Sequence, residues 1–263
     1  MNVPVSPSAL AHADLVVNGR MLSASNATLR CTLQDESGAE VPVVYKPVAG
    51  ERPLWDFPDG SLAGREVAAY ALAEAVGWNL VPLTVWREDG PAGPGMCQAW
   101  VEDDPDVTSV DIVPVGTVPA GWHHVLDARD ASGAPVSLVH RDIPDLARMA
   151  LFDAVVNNAD RKGGHILVDA DGRSWGIDHG VTFSDEPKLR TVLWGWSGEP
   201  LSEGQVADLE RLQGLLDGGL DDVERWLTVA ERRALRRRVR TLLAQAEYPS
   251  PDEGWPAIPW PVF

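Results

Sequence analysis

Residues 157–183 restrict the possible folds of this chain more strongly than any other segment. They contain a polar loop, which follows a predicted helix, and then a short predicted hairpin. Residues 144–158 carry apolar side chains at helical spacing, and Asp160 follows them in the polar loop. The turn sequence at 169–172 then joins two short apolar segments, which predicts a β-hairpin that ends at Asp178. Because the two strands of a tight hairpin return to the same end, we expect the two carboxylates to lie close together.

The first half of the chain has the pattern of an antiparallel sheet accompanied by one helix. Alternating apolar residues and turn signals predict a β-meander over residues 13–47. An Ala-rich segment predicts a helix over 62–77, with Gly77 as its C-cap. Two further strands are predicted at 81–86 and 96–101, with a loop rich in Gly and Pro between them.

A change in composition divides the chain into two predicted lobes. The acidic run at 102–104 follows the last of these strands and is the best candidate boundary. We therefore predict an N-terminal lobe at 1–99 and a C-terminal lobe at 100–263.

The C-terminal lobe is predicted to be mostly helical. Helical spacing is present at 144–158, 203–217 and 220–246. Asp142 and Pro144 are suited to the N-cap and the first turn of the first of these helices.

Two segments of this lobe lack a periodic pattern. Residues 105–141 are rich in Pro and Gly and give little periodic signal. The tail at 249–263 contains five prolines, which is typical of an extended strap or of a disordered segment.

Composition excludes several classes of function. The 22 basic and 39 acidic residues give a formal net charge of −17, so we expect no nucleic-acid partner. The sequence has no run of 18 apolar residues, so we expect no integral membrane association. It also lacks a secretory pattern and contains only two cysteines, Cys31 and Cys97, which favours a reducing, cytoplasmic location.

Lysine is rare among the basic residues. Only Lys46, Lys162 and Lys188 are lysines, and the other 19 of the 22 basic residues are arginines. The ammonium group of Lys is a compact point charge, whereas the guanidinium of Arg is a planar fork. We therefore predict that a lysine in this arginine-rich chain lies where a compact ammonium is needed and a planar guanidinium could not replace it.

A group of arginines and a pair of tryptophans near the C-terminal end could each lie on a functional surface. The six arginines between 232 and 240 are interpreted as a solvated helix face rather than a membrane or nucleic-acid surface. Trp194 and Trp196 lie at the end of the segment that follows Asp178, where we expect the substrate to bind, and are therefore candidate substrate contacts.

Four charged residues occur in an order that is typical of phosphoryl transfer. Lys46 ends a predicted strand, and Glu66 lies on the predicted helix 20 residues later. In kinases, a strand Lys paired with a helix Glu holds the α- and β-phosphates of ATP. One Asp that orients a hydroxyl and one that binds Mg²⁺ complete this machinery, which fits Asp160 and Asp178.

This order of motifs resembles the protein-kinase-like superfamily, and most of all its phosphatidylinositol 3/4-kinase branch with the HipA-like relatives. The catalytic loop of that branch is similar to the loop that begins at Asp160, and its metal-binding segment is similar to IDHG, which contains Asp178. The stretch 44–70, VYKPVAGERPLWDFPDGSLAGREVAAY, also resembles an actinobacterial kinase-like family. The resemblance implies an α+β, bilobal protein-kinase-like fold with an antiparallel-sheet N-lobe, one main N-lobe helix and a mostly helical C-lobe.

The resemblance also implies a role for each residue of the predicted site. Lys46 would bind the α- and β-phosphates, Glu66 would hold Lys46 in place, and Asp160 would be the catalytic base. Asp178 would bind the metal, and position 165 would supply a second ligand. Residues of the phosphate-covering segment and of the lobe junction would contact the nucleotide: Ser25, Asn26, Gln98, Trp100 and Val101.

Position 165 departs from the family pattern, because His stands where the family has Asn. An amide oxygen suits Mg²⁺, whereas imidazole suits Zn²⁺, Ni²⁺ or Mn²⁺. His165 is therefore interpreted as a Mn²⁺ ligand, as a phosphate contact, as a mark of weakened catalysis, or as a structural histidine. The segment 184–196 departs as well, since Lys188 and Arg190 are its only cations and a phosphoinositide kinase would carry more.

The sequence thus predicts a kinase, an ATP-dependent phosphotransferase that uses Mg²⁺ or Mn²⁺. It would transfer the γ-phosphate to a hydroxyl of an unidentified acceptor, which is a protein, a lipid headgroup or a small molecule. Two alternatives stay open: a catalytically weak, nucleotide-binding pseudokinase that acts as a scaffold or sensor, and an AMP transferase.

Overall fold

The N-terminal part of the chain folds into a five-stranded antiparallel sheet. The structure, a computed structural model, describes residues 5–21, 26–34, 38, 40–252, 254 and 256–263. A short helix, α1 (Pro7–His12), precedes the sheet. The strands are β1 (Leu15–Arg20), β2 (Leu29–Gln34), β3 (Glu40–Pro47), β4 (Thr84–Gly90) and β5 (Gly93–Ala99), in the order β1-β2-β3-β5-β4. The predicted meander is confirmed by the first three strands.

The loop predicted at 90–95 is a tight turn that joins two longer strands. β4 begins at Thr84 rather than at 81, and β5 begins at Gly93 rather than at 96. A Cβ atom added at Gly95 would collide with the backbone of Lys46. Glycine therefore lets β5 pair closely with β3 up to Pro47, and the strand extends into a sequence that resembles a loop.

Helix α2 (Leu62–Val76) packs between this sheet and the C-terminal helices. The hydroxyl of Ser61 accepts a hydrogen bond from the backbone N–H of Gly64 at the start of the helix. Gly77 ends the helix with a φ of 79°, which confirms it as the C-cap. Because α2 is buried on most of its circumference, Arg65 and Glu66 both lie out of contact with solvent.

A three-stranded antiparallel sheet occupies the segment that gave little periodic signal. Its strands are β6 (Val110–Pro114), β7 (Trp122–Arg129) and β8 (Pro135–Arg141), in the order β6-β8-β7. β6 and β7 do not alternate between buried and exposed residues, because most of their side chains are exposed or half-buried. A strand without a buried face has no period-2 pattern, so the sequence did not reveal this sheet.

The remaining C-terminal elements are mainly helices. They are α3 (Pro144–Val156), the hairpin β9 (Ile166–Val168) and β10 (Ser174–Gly176), α4 (Glu203–Gly218), α5 (Asp221–Glu224) and α6 (Val229–Gln245). The predicted hairpin is confirmed, with Ser174 paired to Val168. With the N-terminal sheet and its main helix, these elements give the expected α+β, bilobal kinase-like fold.

Two helix boundaries differ from the prediction. Pro144 occupies the first turn of α3 as expected, but Asp142 is not its N-cap; Ile143 takes that position without a side-chain hydrogen bond. The helix predicted at 220–246 is divided into α5 and α6, because Thr228 and Glu231 form a capping box that starts a new helix.

The main hydrophobic core joins α2 to α3, α4 and α6. A smaller cluster lies on the other face of the N-terminal sheet, between β2, β3, β5 and α1. Cys31 and Cys97 are free thiols in this cluster, and burial raises the pKa of Cys97 to about 12. Within the part of the chain that the structure describes, no helix has the length and apolarity needed to cross a membrane.

The interpretation of the α6 arginines as a solvated face is confirmed for Arg233, Arg237 and Arg240, which are exposed. Arg238 differs, because it donates to the carbonyl oxygens of Val155 and Ser184 at 3.0 and 2.9 Å and so ties the helix to its neighbours. Trp194 and Trp196 are buried, with 9% and 6% of their surface exposed, and are packing residues rather than exposed substrate contacts.

The described part of the proline-rich tail is an extended strap. The carbonyl oxygen of Val262 accepts a hydrogen bond from Gly163 N at 2.8 Å, and that of Ala257 accepts one from Thr191 N at 3.1 Å. These two contacts place the tail against the loop that follows α3 and against the segment that follows the hairpin.

Candidate active site

The structure brings four of the predicted residues together between the N-terminal sheet and the C-terminal hairpin. Lys46 Nζ lies 2.5 Å from Glu66 Oε1 and 2.8 Å from Asp178 Oδ1. Asp178 Oδ2 in turn lies 3.3 Å from Nε2 of His165. Residues that are far apart in the sequence therefore form one connected cluster.

Strand geometry explains the direction of Lys46. In β3, Val43 and Tyr45 are fully buried in the small cluster with α1. Successive side chains of a strand point to opposite faces, so Lys46 lies on the face that carries α2. Its 18% exposed side chain reaches Glu66 across that face.

Asp178 has an unusual backbone conformation. Its φ is 59°, in the left-handed region that non-glycine residues seldom adopt. Asn and Asp tolerate this region better than other residues. A left-handed turn directly after β10 ends the strand and presents the carboxylate to Lys46.

The three charged groups of the cluster, Lys46, Glu66 and Asp178, shift the pKa values of one another. Burial alone would lower the pKa of Lys46, but the carboxylates of Asp178 and Glu66 outweigh it and raise the pKa. Lys46 holds the pKa of Asp178 well below its usual range. Burial raises the pKa of Glu66, and the ammonium of Lys46 opposes this shift. Two carboxylates against one ammonium leave the cluster with a surplus of negative charge, which suits a cation.

His165, which the sequence predicts as a second metal ligand, lies beside Asp178. Its Nδ1 lies 3.0 Å from the carbonyl oxygen of Asp160, which can only accept, so Nδ1 carries the proton. Burial lowers the pKa of His165, and its Nε2 lies 3.3 Å from Asp178 Oδ2. An imidazole nitrogen and a carboxylate oxygen this close to each other are groups that could share one bound cation.

Asp178 and His165 could supply only part of the coordination shell of a metal ion. Among the residues that the structure describes, no group of three or more His, Cys, Asp or Glu side chains could hold a metal ion. Asp178 and His165 form a pair, which fits a kinase-like site where phosphate oxygens and water complete the shell. The donor set suits Mn²⁺ as well as Mg²⁺, since it joins an imidazole to a carboxylate.

Asp160 lies on the loop that connects α3 to His165, and its side chain is partly shielded from solvent. Burial raises the pKa of Asp160, and Lys162 and His165 oppose the shift. Its Oδ2 lies 3.3 Å from Nζ of Lys162, and 30% of the side chain is exposed. Asp160 is therefore accessible and carries a proton-accepting group whose pKa its neighbours adjust.

A buried arginine supports the loop. Arg161 is fully buried and forms an ion pair at 2.9 Å with Asp153 of α3, which is also fully buried. Its Nη1 donates to the carbonyl oxygens of His165 at 3.1 Å and of Ile177 at 3.0 Å. One guanidinium thus fixes the loop and the end of the hairpin relative to α3.

Of the residues predicted to contact the nucleotide base, Gln98 lies near the end of β5, and Trp100 and Val101 follow that strand. The side chain of Gln98 donates to Thr84 Oγ1 at 2.8 Å within the sheet. The backbone N–H of Trp100 donates to the carbonyl oxygen of Pro42 at 3.3 Å. Both of these donors are therefore used within the protein, and Val101 is buried.

The predicted phosphate-covering segment is described only in part. Ser25 lies outside the described residues. Asn26 Oδ1 accepts a hydrogen bond at 2.9 Å from the backbone N–H of Arg52. The structure therefore connects Asn26 to the segment that follows Lys46.

Lys162 and Lys188 were not predicted as site residues. Lys162 pairs with Asp160, and the side chain of Lys188 is only 2% exposed and lies 3.3 Å from Asp56 Oδ2. The rarity of lysine was the signal that could have found Lys162, which lies 3.3 Å from Asp160 Oδ2.

Comparison with known proteins supports the fold. No family model matches the chain. The structure of hydra Fam20 with sugar is similar with a TM-score of 0.53 and 16% identity, over 91% of this chain and 86% of that chain. The Golgi casein kinase structure has a TM-score of 0.49 and 14% identity, over 93% of this chain and 78% of that chain. The likeness to hydra Fam20 is one of fold and agrees with the bilobal arrangement.

One relative is close enough in sequence to define a family. Protein Rv2133c of Mycobacterium tuberculosis is 49% identical over 266 residues, which cover 97% of this chain and 94% of the relative. Identity at this level over nearly both whole sequences means that the chain belongs to the same family as Protein Rv2133c.

Proposed function

We propose that this protein is an ATP-dependent phosphotransferase that transfers the γ-phosphate to a hydroxyl group. One observation carries the proposal: Lys46 Nζ lies between Glu66 and Asp178, which are 20 and 132 residues away in the sequence. A strand lysine held by a helix glutamate beside a metal-binding aspartate is the arrangement that kinases use for ATP.

In this proposal each residue of the cluster acts on the triphosphate. Lys46 binds the α- and β-phosphates, and Glu66 keeps the ammonium in place. Asp178 and His165 would hold Mg²⁺ or Mn²⁺, which supplies positive charge to the phosphate oxygens when bound. Asn26 and Ser25 would lie over the phosphates, and Gln98, Trp100 and Val101 would border the adenine.

Asp160 and Lys162 would act on the transferred group. Asp160 accepts the proton of the acceptor hydroxyl or aligns that hydroxyl for attack. The ammonium of Lys162, 3.3 Å from Asp160, would stabilise the negative charge of the γ-phosphate. The partly exposed side chain of Asp160 gives an acceptor direct access to it.

The finer assignments are inferences from the sequence. The branch of phosphatidylinositol 3/4-kinases and HipA-like proteins is inferred from the order of the motifs. The division into lobes at 1–99 and 100–263 is inferred from the change in composition. A cytoplasmic location is inferred from Cys31 and Cys97, which are free thiols.

Transfer from radiolabelled ATP tests the proposal. Purified protein with Mg²⁺ or Mn²⁺ and a panel of acceptors should release or transfer the γ-phosphate. Asp160→Asn and Asp178→Asn should each lower the rate at least 100-fold, since each removes a charge that the reaction needs. Asp171→Asn is the matched control, because Asp171 is an exposed residue in the turn of the same hairpin.

The outcomes separate the candidate functions. Unchanged rates in both variants would contradict the assignment. Nucleotide binding without turnover would favour a pseudokinase scaffold, and label transferred from the α-phosphate would favour AMP transfer. Asp160→Asn should retain the affinity for ATP, whereas Asp178→Asn should lose it together with metal binding.

A further inference from the structure

Arg65, which precedes Glu66 on α2, is buried but has no part in the chemistry proposed above. Only 2% of its side chain is exposed, and its Nη1 forms an ion pair with Oε1 of Glu231 on α6. Nη1 also lies 3.4 Å from the carbonyl oxygen of Thr182, and Nη2 donates to that of Asp59 at 2.7 Å. One side chain thus connects α2 to three other segments of the chain.

The partner of Arg65 is itself fixed. Oε2 of Glu231 accepts a hydrogen bond at 2.8 Å from the backbone N–H of Thr228, and Thr228 Oγ1 accepts one at 3.2 Å from the N–H of Glu231. One carboxylate oxygen therefore caps α6 while the other binds Arg65. Because this capping box sets the rotamer of Glu231, Arg65 is held against a rigid helix start.

The segment after Asp178 lies directly against the same turn of α2. A Cβ atom added at Gly180 would lie 3.2 Å from Cβ of Leu62 and 3.8 Å from Oε1 of Glu66. Arg65 contacts Thr182 two residues further along. The position of α2 and the position of this segment are therefore set by the same contacts.

We propose that Arg65 is a positioning residue that sets the spacing at which Glu66 and Asp178 both reach Lys46. Its role in nucleotide binding rests on the proposed function. A buried ion pair contributes little net stability compared with well-packed apolar residues. Its planar fork, however, binds acceptors in several directions and so fixes both the distance and the rotation of α2.

The substitution Arg65→Lys separates charge from geometry. Lys keeps the positive charge near Glu231, but its point charge cannot replace a fork that binds three segments. Arg87→Lys is the matched control: Arg87 is 4% exposed and donates to the carbonyl oxygens of Leu10 and Ala13, both at 2.8 Å, on the α1 side of the sheet. Both variants should lower Tm.

Calorimetry with the ATP analogue AMP-PNP and Mn²⁺ gives the first readout. The Kd should increase at least tenfold in Arg65→Lys and stay within twofold of wild type in Arg87→Lys. Hydrogen exchange gives the second: amides of 178–184 should exchange at least tenfold faster in Arg65→Lys only. If Arg65→Lys does not fold, Glu231→Ala replaces it with the same expected changes, because it removes the acceptor that ties Arg65 to α6.

The outcomes distinguish the two proposals. If wild type binds AMP-PNP and the Arg65 variant binds it equally well, the positioning role is wrong. If wild type does not bind AMP-PNP, the proposed function is wrong, and hydrogen exchange decides on Arg65 alone. Unchanged exchange over 178–184 in the Arg65 variant then overturns the inference.

Discussion

Replacement of Arg161 by Met should destabilise the protein more than almost any other single substitution. It removes the partner of Asp153, a buried carboxylate that then keeps only the hydrogen bonds from Asn158 at 2.9 Å and Thr191 at 3.3 Å. Breaking a buried ion pair costs about 3–5 kcal/mol. The carbonyl oxygens of His165 and Ile177 also lose a donor, at about 1 kcal/mol each.

The sum is about 5–7 kcal/mol, a large part of the roughly 5–15 kcal/mol by which a domain is stable. For a chain of this length that corresponds to a decrease in Tm of roughly 10–28 °C. Urea unfolding and thermal melts measure both quantities. Arg225→Met is the control, because its ion pair with Asp222 is exposed and should contribute less than about 1 kcal/mol.

The double variant Arg161→Met with Asp153→Leu tests the reasoning further. It removes both charges, so it should be more stable than Arg161→Met alone, although it contains one more substitution. A Tm of Arg161→Met within 2 °C of wild type would refute the argument that this ion pair holds the loop that follows α3 to that helix.

The other predictions concern Lys162 and the strap. Lys162→Ala should lower kcat about tenfold and move the acid limb of the pH–kcat profile to higher pH, because Lys162 opposes the rise in the pKa of Asp160. An acid limb that stays in place would show that Asp160 is not the titrating group. Gly163→Ala should destabilise the protein by about 1 kcal/mol or less in thermal melts, since its Cβ would lie 2.5 Å from Cε1 of Phe263, whose half-exposed ring must then shift. Gly164→Ala, whose Cβ would lie 3.9 Å from Phe263, is the control, and equal losses would contradict the packing argument.

The parts of the site that sequence reasoning found are those with local signals. The hairpin at 166–176 has turn residues flanked by apolar residues, and the helix that carries Glu66 has an Ala-rich pattern and a terminal Gly. Lys46, Asp160 and Asp178 stand at the ends of such elements. Their mutual distances depend on the fold, but their order along the chain resembles that of kinases, and the structure brings Lys46 and Asp178 into contact.

The parts that were missed depend on tertiary partners. Nothing next to Arg161 in the sequence shows that it is fully buried, because its partner Asp153 lies on the preceding helix. The three-stranded sheet at 110–141 gave no pattern, since most of its side chains contact solvent. The continuous helical spacing of 220–246 concealed the break before α6, although the Thr228 and Glu231 spacing is a recognisable capping signal.

The left-handed backbone of Asp178 determines which substitution can be interpreted there. Alanine in this conformation adds roughly 1–2 kcal/mol of backbone strain to the loss of the carboxylate, so an inactive alanine variant would mix two causes. Asparagine accepts the same φ and has nearly the same size. A loss of turnover in Asp178→Asn with an unchanged melting curve can therefore be attributed to the missing charge alone.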